Sequence, residues 1–154
     1  MSNQWQARRG TTAQNDAFTG ASGEITYDTD SQGLRIHDGT KQGGYLIDTV
    51  VDFQKPTAEN NYTWYRLYAS GFVEQGGSVF ISAGTAGLNT LINLPVAMAD
   101  TRYTATIGLG DKSANNTSVF CWICIKTTTN IALCTSLIDP TVVDTGWQVS
   151  GMAA

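Results

Sequence analysis

The chain has 154 residues, 42% apolar and 14% charged, with sixteen Gly, three Pro, three Cys and a formal net charge of −4. That length suits one ordinary domain or two small ones, and the apolar share suffices for a compact core, so a disordered chain is excluded. Nine Lys plus Arg against thirteen Asp plus Glu, with no basic run, leave out the electrostatic footprint of a nucleic-acid partner, and no apolar run of about 18 residues is present for membrane insertion.

The polar opening MSNQWQARRG lacks the apolar region of a signal peptide. The product is therefore expected in the cytoplasm where it is made, or in a particle assembled there. An odd number of Cys without an export signal makes reduced thiols the expectation. Abundant Gly, Thr, Val, Ile and aromatic residues, with no long Ala/Leu/Glu/Lys stretch, predict an all-β fold.

Up to residue 50 the apolar residues are sparse: Trp5, Phe18, Ile25, Tyr27, Leu34, Ile36 and the triplet Tyr45-Leu46-Ile47. GEITYD and GLRIH flank a polar TDSQ turn, a β-hairpin signature, with Ile25 and Tyr27 expected on one face and Leu34 and Ile36 on another. Asp28, Asp30 and Gly33 within YDTDSQGLRIHDG imitate a calcium loop. Its twelfth residue is Gly39 rather than a bidentate Glu, and the flanks are strand-like, so the run reads as a turn and no metal is expected. So small a hairpin buries too little to order some fifty residues alone, and it needs the rest of the chain or copies of itself. His37, the one histidine, lies beside Asp38-Gly39 and reads as a turn residue, with no nucleophile elbow anywhere to use it. Residues 51–61, with Lys55-Pro56, read as a linker.

From Tyr62 onward, YTWYRLYA, GFVEQ, SVFISA, TLINLPV, RYTATIGL, TSVFCWICIK, NIALCTSLI and GWQVSGM are strand candidates. EQGG, AGTAG, DKSANN and DPTVVDTG serve as turn material between them, which indicates an antiparallel β-sandwich or related barrel. FCWICI is apolar throughout and is expected to be covered on both faces. Cys121 and Cys124 sit three apart on a strand and so point to opposite faces, which argues against chelation or redox use. A hairpin turning about Thr129 would instead set Cys124 against Cys134. Trp64 and Tyr65 are expected to fill the core. Arg66 would be internal too, pairing across an interface. The scattered acids offer no catalytic pair, GLGDKS lacks the order of a phosphate loop, and no enzyme activity or cofactor is expected.

The blocks RRGT, FTGASGE, DTD, HDG and GG, in that order within residues 6–47, resemble the N-terminal module of bacteriophage tail-fibre and tropism-determinant proteins. The remainder, WYRLYASGFVEQGG through LPVAMADTRYTATIG to GWQVSGMAA, resembles the C-terminal domain of phage tail fibres. The resemblance implies a homotrimeric virion protein. Residues 1–50 would be a trimerisation and attachment module that also meets other virion proteins. Residues 62–154 would be a distal knob that binds a host cell-surface glycan or protein. A decoration or adaptor trimer binding only virion proteins is the alternative, and a capsule depolymerase is a third reading that the short chain leaves little room for. The loop GLGDKSANNTS, with Asp111, Lys112, Asn115 and Asn116, is the first expected contact surface, or else simply joins two strands.

Overall fold

The computed structural model describes residues 6–82, 90–112, 121–135 and 142–154. The chain divides into two compact units, Met1–Asp52 with Tyr68–Gly71, and Phe53–Leu67 with Phe72–Ala154. Sheets dominate both, as expected, and antiparallel pairing prevails.

In the first unit, β1 (Arg8–Gly10), β2 (Ile25–Asp28), β3 (Leu34–Ile36) and β4 (Tyr45–Ile47) form a sheet in chain order. β1 runs parallel to β2, and the crossover between them carries the helix α1 (Thr12–Asp16). Thr11 starts that helix with a capping box: its hydroxyl accepts from the Gln14 N–H at 3.2 Å, and the Gln14 side chain accepts from the Thr11 N–H at 2.9 Å. The β2–β3 hairpin forms as the sequence predicts, but its faces differ from expectation. Ile25 pairs with Ile36 and Tyr27 with Leu34, so all four share one face, because directly opposed residues of an antiparallel ladder project to the same side.

A five-stranded sheet holds β5 (Val50–Gln54), β6 (Trp64–Tyr68), β7 (Phe72–Ser82), β12 (Val142–Met152) and β9 (Thr104–Lys112) in that order. β10 (Cys121–Lys126), β11 (Asn130–Thr135) and β8 (Thr90–Asn93) make a three-stranded one. Val73, Ile81, Trp147 and Val149 from the larger sheet and Ile92, Ile131 and Leu133 from the smaller meet in one core, a sandwich. Gln75 is buried within it and is satisfied by the backbone of Val96. Its Nε2 donates to the Val96 carbonyl at 2.8 Å and its Oε1 accepts the Val96 N–H at 2.9 Å.

Several expectations fail against the structure. EQGG is no turn: Gln75, Gly76 and Gly77 continue β7 through eleven residues. VVDTG begins β12 rather than preceding it. CWICI is not covered on both faces, since β10 is an edge strand with Trp122 and Ile125 exposed; the strand buried on both faces is its neighbour β11. Trp64 and Arg66 point away from the core and only Tyr65 and Leu67 pack against it, as strand alternation requires. The expectation of reduced thiols fails for two of the three. Cys124 and Cys134 form a disulfide with Cα atoms 5.8 Å apart, a span such a bond favours. A bulge between Ile123 and Ile125 places Trp122, not Cys124, opposite Cys134, and the bulged Cys124 reaches over to close the bond. Cys121 stays free, and partial burial pushes its thiol pKa up.

Candidate functional site

The four-stranded sheet of the first unit is inverted relative to an ordinary small domain. Its covered face is polar. Asp28 is fully buried and accepts hydrogen bonds from the Thr12 hydroxyl (2.9 Å) and the Asp30 and Ser31 N–H groups (3.2 Å each). Arg35 Nη2 completes its shell at 2.8 Å, while Nη1 reaches Asp16 at 2.6 Å and the Gly43 carbonyl at 3.1 Å. The D-x-D run is thus a turn anchor, its first carboxylate committed to an arginine and to the backbone of its own turn. Burial opposes the charge on Asp28, but the hydrogen bonds from Ser31, Thr12, Arg35 and Asp30 outweigh it and hold its pKa below the ordinary value. Burial likewise opposes the Arg35 charge and is outweighed by Asp16 and Asp28, which raise its pKa.

His37 is not the turn residue that the sequence suggests. It is 1% exposed, edge-on to Phe18 with ring centroids 5.2 Å apart. The Gly20 N–H donates to Nδ1 at 3.2 Å, so the neutral ring carries its proton on Nε2 and donates it to the Thr26 hydroxyl at 3.1 Å. Asn15, also buried, ties α1 to the sheet through the Gly10 and Tyr27 carbonyls. The polar residues on this face of the sheet are therefore held mainly by hydrogen bonds.

The opposite face is apolar and open across β2, β3 and β4, with the exposed Arg9 of β1 beside Tyr27. Ile25, Ile36 and Tyr45 form one cross-strand row, and Tyr27, Leu34 and Ile47 the next. Ile25 is 36% exposed, Ile36 41%, Tyr45 51% and Ile47 38%. A contiguous apolar face on a unit with so polar an interior marks an interaction surface. Tyr45 sits at its rim, its hydroxyl donating to Asp38 at 3.2 Å and its ring under the Lys41 ammonium at 4.0 Å. The Asp38 carboxyl, bonded by the Lys41 and Thr40 N–H groups, is held far below the usual range.

Of the residues expected to contact a receptor, Asp111 and Lys112 close strand β9, and Asn115 and Asn116 lie outside the described residues. Sequence reasoning missed the inverted first unit. The available signal was alternation in ITYD and LRI, which sets Thr26, Asp28 and Arg35 on one side and the apolar residues on the other.

Residues 6–41 match the family described as the Major tropism determinant N-terminal domain. A stretch of 47 residues is 53% identical to the tail fiber receptor-binding protein of Bordetella phage BPP-1, covering 30% of this chain and 12% of that protein. Among solved structures, the C-terminal part of the P. aeruginosa R2 pyocin fiber matches with a TM-score of 0.49 at 15% identity, over 67% of this chain and 26% of that one. The P3c variant of the major tropism determinant matches with a TM-score of 0.28 at 27% identity, over 67% and 29%. The resemblance read from RRGT, FTGASGE, DTD and HDG stands, and this chain spans only a small part of the relatives it matches.

Proposed function

We propose that this chain is a bacteriophage virion fibre protein that attaches the particle to a host cell surface by adhesion, with no bond broken. The observation that carries the reading is the 53% identity of a 47-residue stretch to a phage receptor-binding tail fiber. The open apolar face of the first unit supplies its physical complement. Chains that share this face, the simplest arrangement being a closed homotrimer, gain burial that one copy lacks. Residues 1–50 then act as the trimerisation and attachment module, which also meets other virion proteins, and residues 62–154 form the receptor-binding knob; residues 51–61, read from the sequence as a linker, begin within strand β5 rather than as free connecting chain. Weak contacts at each knob suffice, because several linked sites multiply the effective affinity.

The test is adsorption. Fluorescently labelled protein incubated with permissive bacteria labels their surface under this reading. Failure to label any permissive strain favours instead a decoration or adaptor role confined to the virion.

A further inference from the structure

The outer face of the five-stranded sheet carries an open trough that the sandwich itself does not explain. Trp64, Gly76, Gln148 and Thr106 form one row across β6, β7, β12 and β9. The indole of Trp64 covers Gly76 so closely that a Cβ there would lie 2.9 Å from the ring. In the next row, Gly146 stands opposite Gly108. Neither of these glycines has a positive φ. A Cβ on Gly108 would meet nothing within 4 Å, and one on Gly146 only the Gly108 carbonyl at 3.8 Å. Neither backbone conformation nor packing requires glycine at these two positions. Glycine weakens a strand, and in a strand interior it marks a bulge, a bend or close approach by a ligand or another backbone; the irregularity of this ladder lies beyond the pair, between Val143 and Thr145, while Gly146 and Gly108 are in regular register.

The lining of the trough indicates what approaches. Trp64, Gln148 and Thr106 line it from one cross-strand row, and Gly146 and Gly108 in the next row give it a floor without side chains. The Thr106 hydroxyl and the Gln148 amide make no hydrogen bond among the described residues, so both remain available as donors and acceptors. None of the lining side chains is charged. A half-buried indole beside a neutral amide and hydroxyl, next to a floor without side chains, matches a flat ring with one C–H face and hydroxyls at its edge. The aromatic ring takes the apolar face, and the polar pair orients the hydroxyls.

We infer that this trough, rather than Asp111, Lys112, Asn115 and Asn116, is a binding site for a neutral pyranose unit of a surface polysaccharide. The inference deepens the attachment reading and rests on it for its biological meaning.

The probes are the methyl glycosides of glucose, galactose, mannose and N-acetylglucosamine, titrated into the isotopically labelled full chain while the tryptophan indole resonances are followed. At least one glycoside is expected to shift the resonance that Trp64→Ala removes, with roughly millimolar affinity. Gly146→Val, which fills the floor without touching Trp64, is expected to weaken that response about tenfold or more while leaving the melting curve in place. Gly108→Val fills the same floor from another strand and serves if the first variant does not fold. Silence of the Trp64 resonance to every glycoside overturns the site, as does an undiminished response in the filled variants. Dissociation of the oligomer by Gly146→Val also overturns it, since the trough would then seat a second copy. The two claims part cleanly on cells: unchanged adsorption of Gly146→Val removes the site and leaves attachment standing, whereas no adsorption of the unmodified protein removes attachment.

Discussion

Replacing Asp28 by Ala removes the one fully buried carboxylate among the described residues of the first unit. Arg35, only 11% exposed at its side chain, keeps Asp16, which is 61% exposed, but loses its buried partner. Breaking a buried ion pair from one side costs about 3–5 kcal/mol, because a charge is left without compensation. The Thr12 hydroxyl and the Asp30 and Ser31 N–H groups lose an acceptor as well. A unit of some fifty residues holds roughly 3–8 kcal/mol in total. Asp28→Ala is therefore expected to unfold the first unit or bring it to the edge of unfolding. Hydrogen exchange followed by mass spectrometry reads this segment by segment. Peptides across β2, β3 and β4 should lose their protection, while those within β7 and β12 keep theirs. If the β2–β4 peptides exchange within about threefold of the unmodified protein, a difference below 1 kcal/mol, the polar network is not what holds the unit together.

The depressed pKa of Asp28 also sets an acid limb. Its ionised form contributes stability above the ordinary aspartate value, and that contribution is lost as pH falls from about 4 through the lower folded value. In Asp28→Asn the melting temperature of the first unit should start lower and fall less steeply below about pH 4; an equally steep fall refutes the assignment. Thiol titration of unfolded, unreduced protein should count Cys121 alone, and reductant should raise the count to three. Changing both Cys124 and Cys134 to Ser should cost about 2–3 kcal/mol on denaturant unfolding of the second unit, the entropy of the short loop they close; three reactive thiols before reduction would refute the disulfide. Gly76→Ala would place a Cβ 2.7 Å from the Trp147 carbonyl and 2.9 Å from the Trp64 ring. It should destabilise the sandwich by about 1–3 kcal/mol and change tryptophan emission, and an unchanged melting midpoint would show that the close contact is absent.

What can be read from the sequence divides along local and non-local lines. The strands from Tyr62 onward and the β2–β3 hairpin are legible, because alternation and turn residues are local signals. The capping box at Thr11–Gln14 is equally local, in T-T-A-Q, but no long helical pattern follows it to mark a helix. His37 is not legible, since its partners Gly20 and Thr26 stand 17 and 11 residues away. Gly76-Gly77 looks like a turn because glycine favours turns; in the fold Trp64 of the neighbouring β6 crowds the first, and Trp147, about seventy residues on, crowds the second. Cys124–Cys134 is open as a geometric option, but the bulge that completes it leaves no mark in CWICIK. The resemblance to phage fibre proteins comes from short blocks in fixed order, which is why it reaches residues 6–41 so specifically.

The proposed assembly rests on one physical observation: the first unit turns its polar side inward and its apolar side out, and covering that outer face would bury apolar surface. Sedimentation equilibrium of the purified chain at micromolar concentration, beside Ile36→Glu at the centre of the face, measures this most directly. Three chain masses are expected for the unmodified protein, and a shift toward one for the variant. A folded single chain in both samples would contradict the shared apolar face.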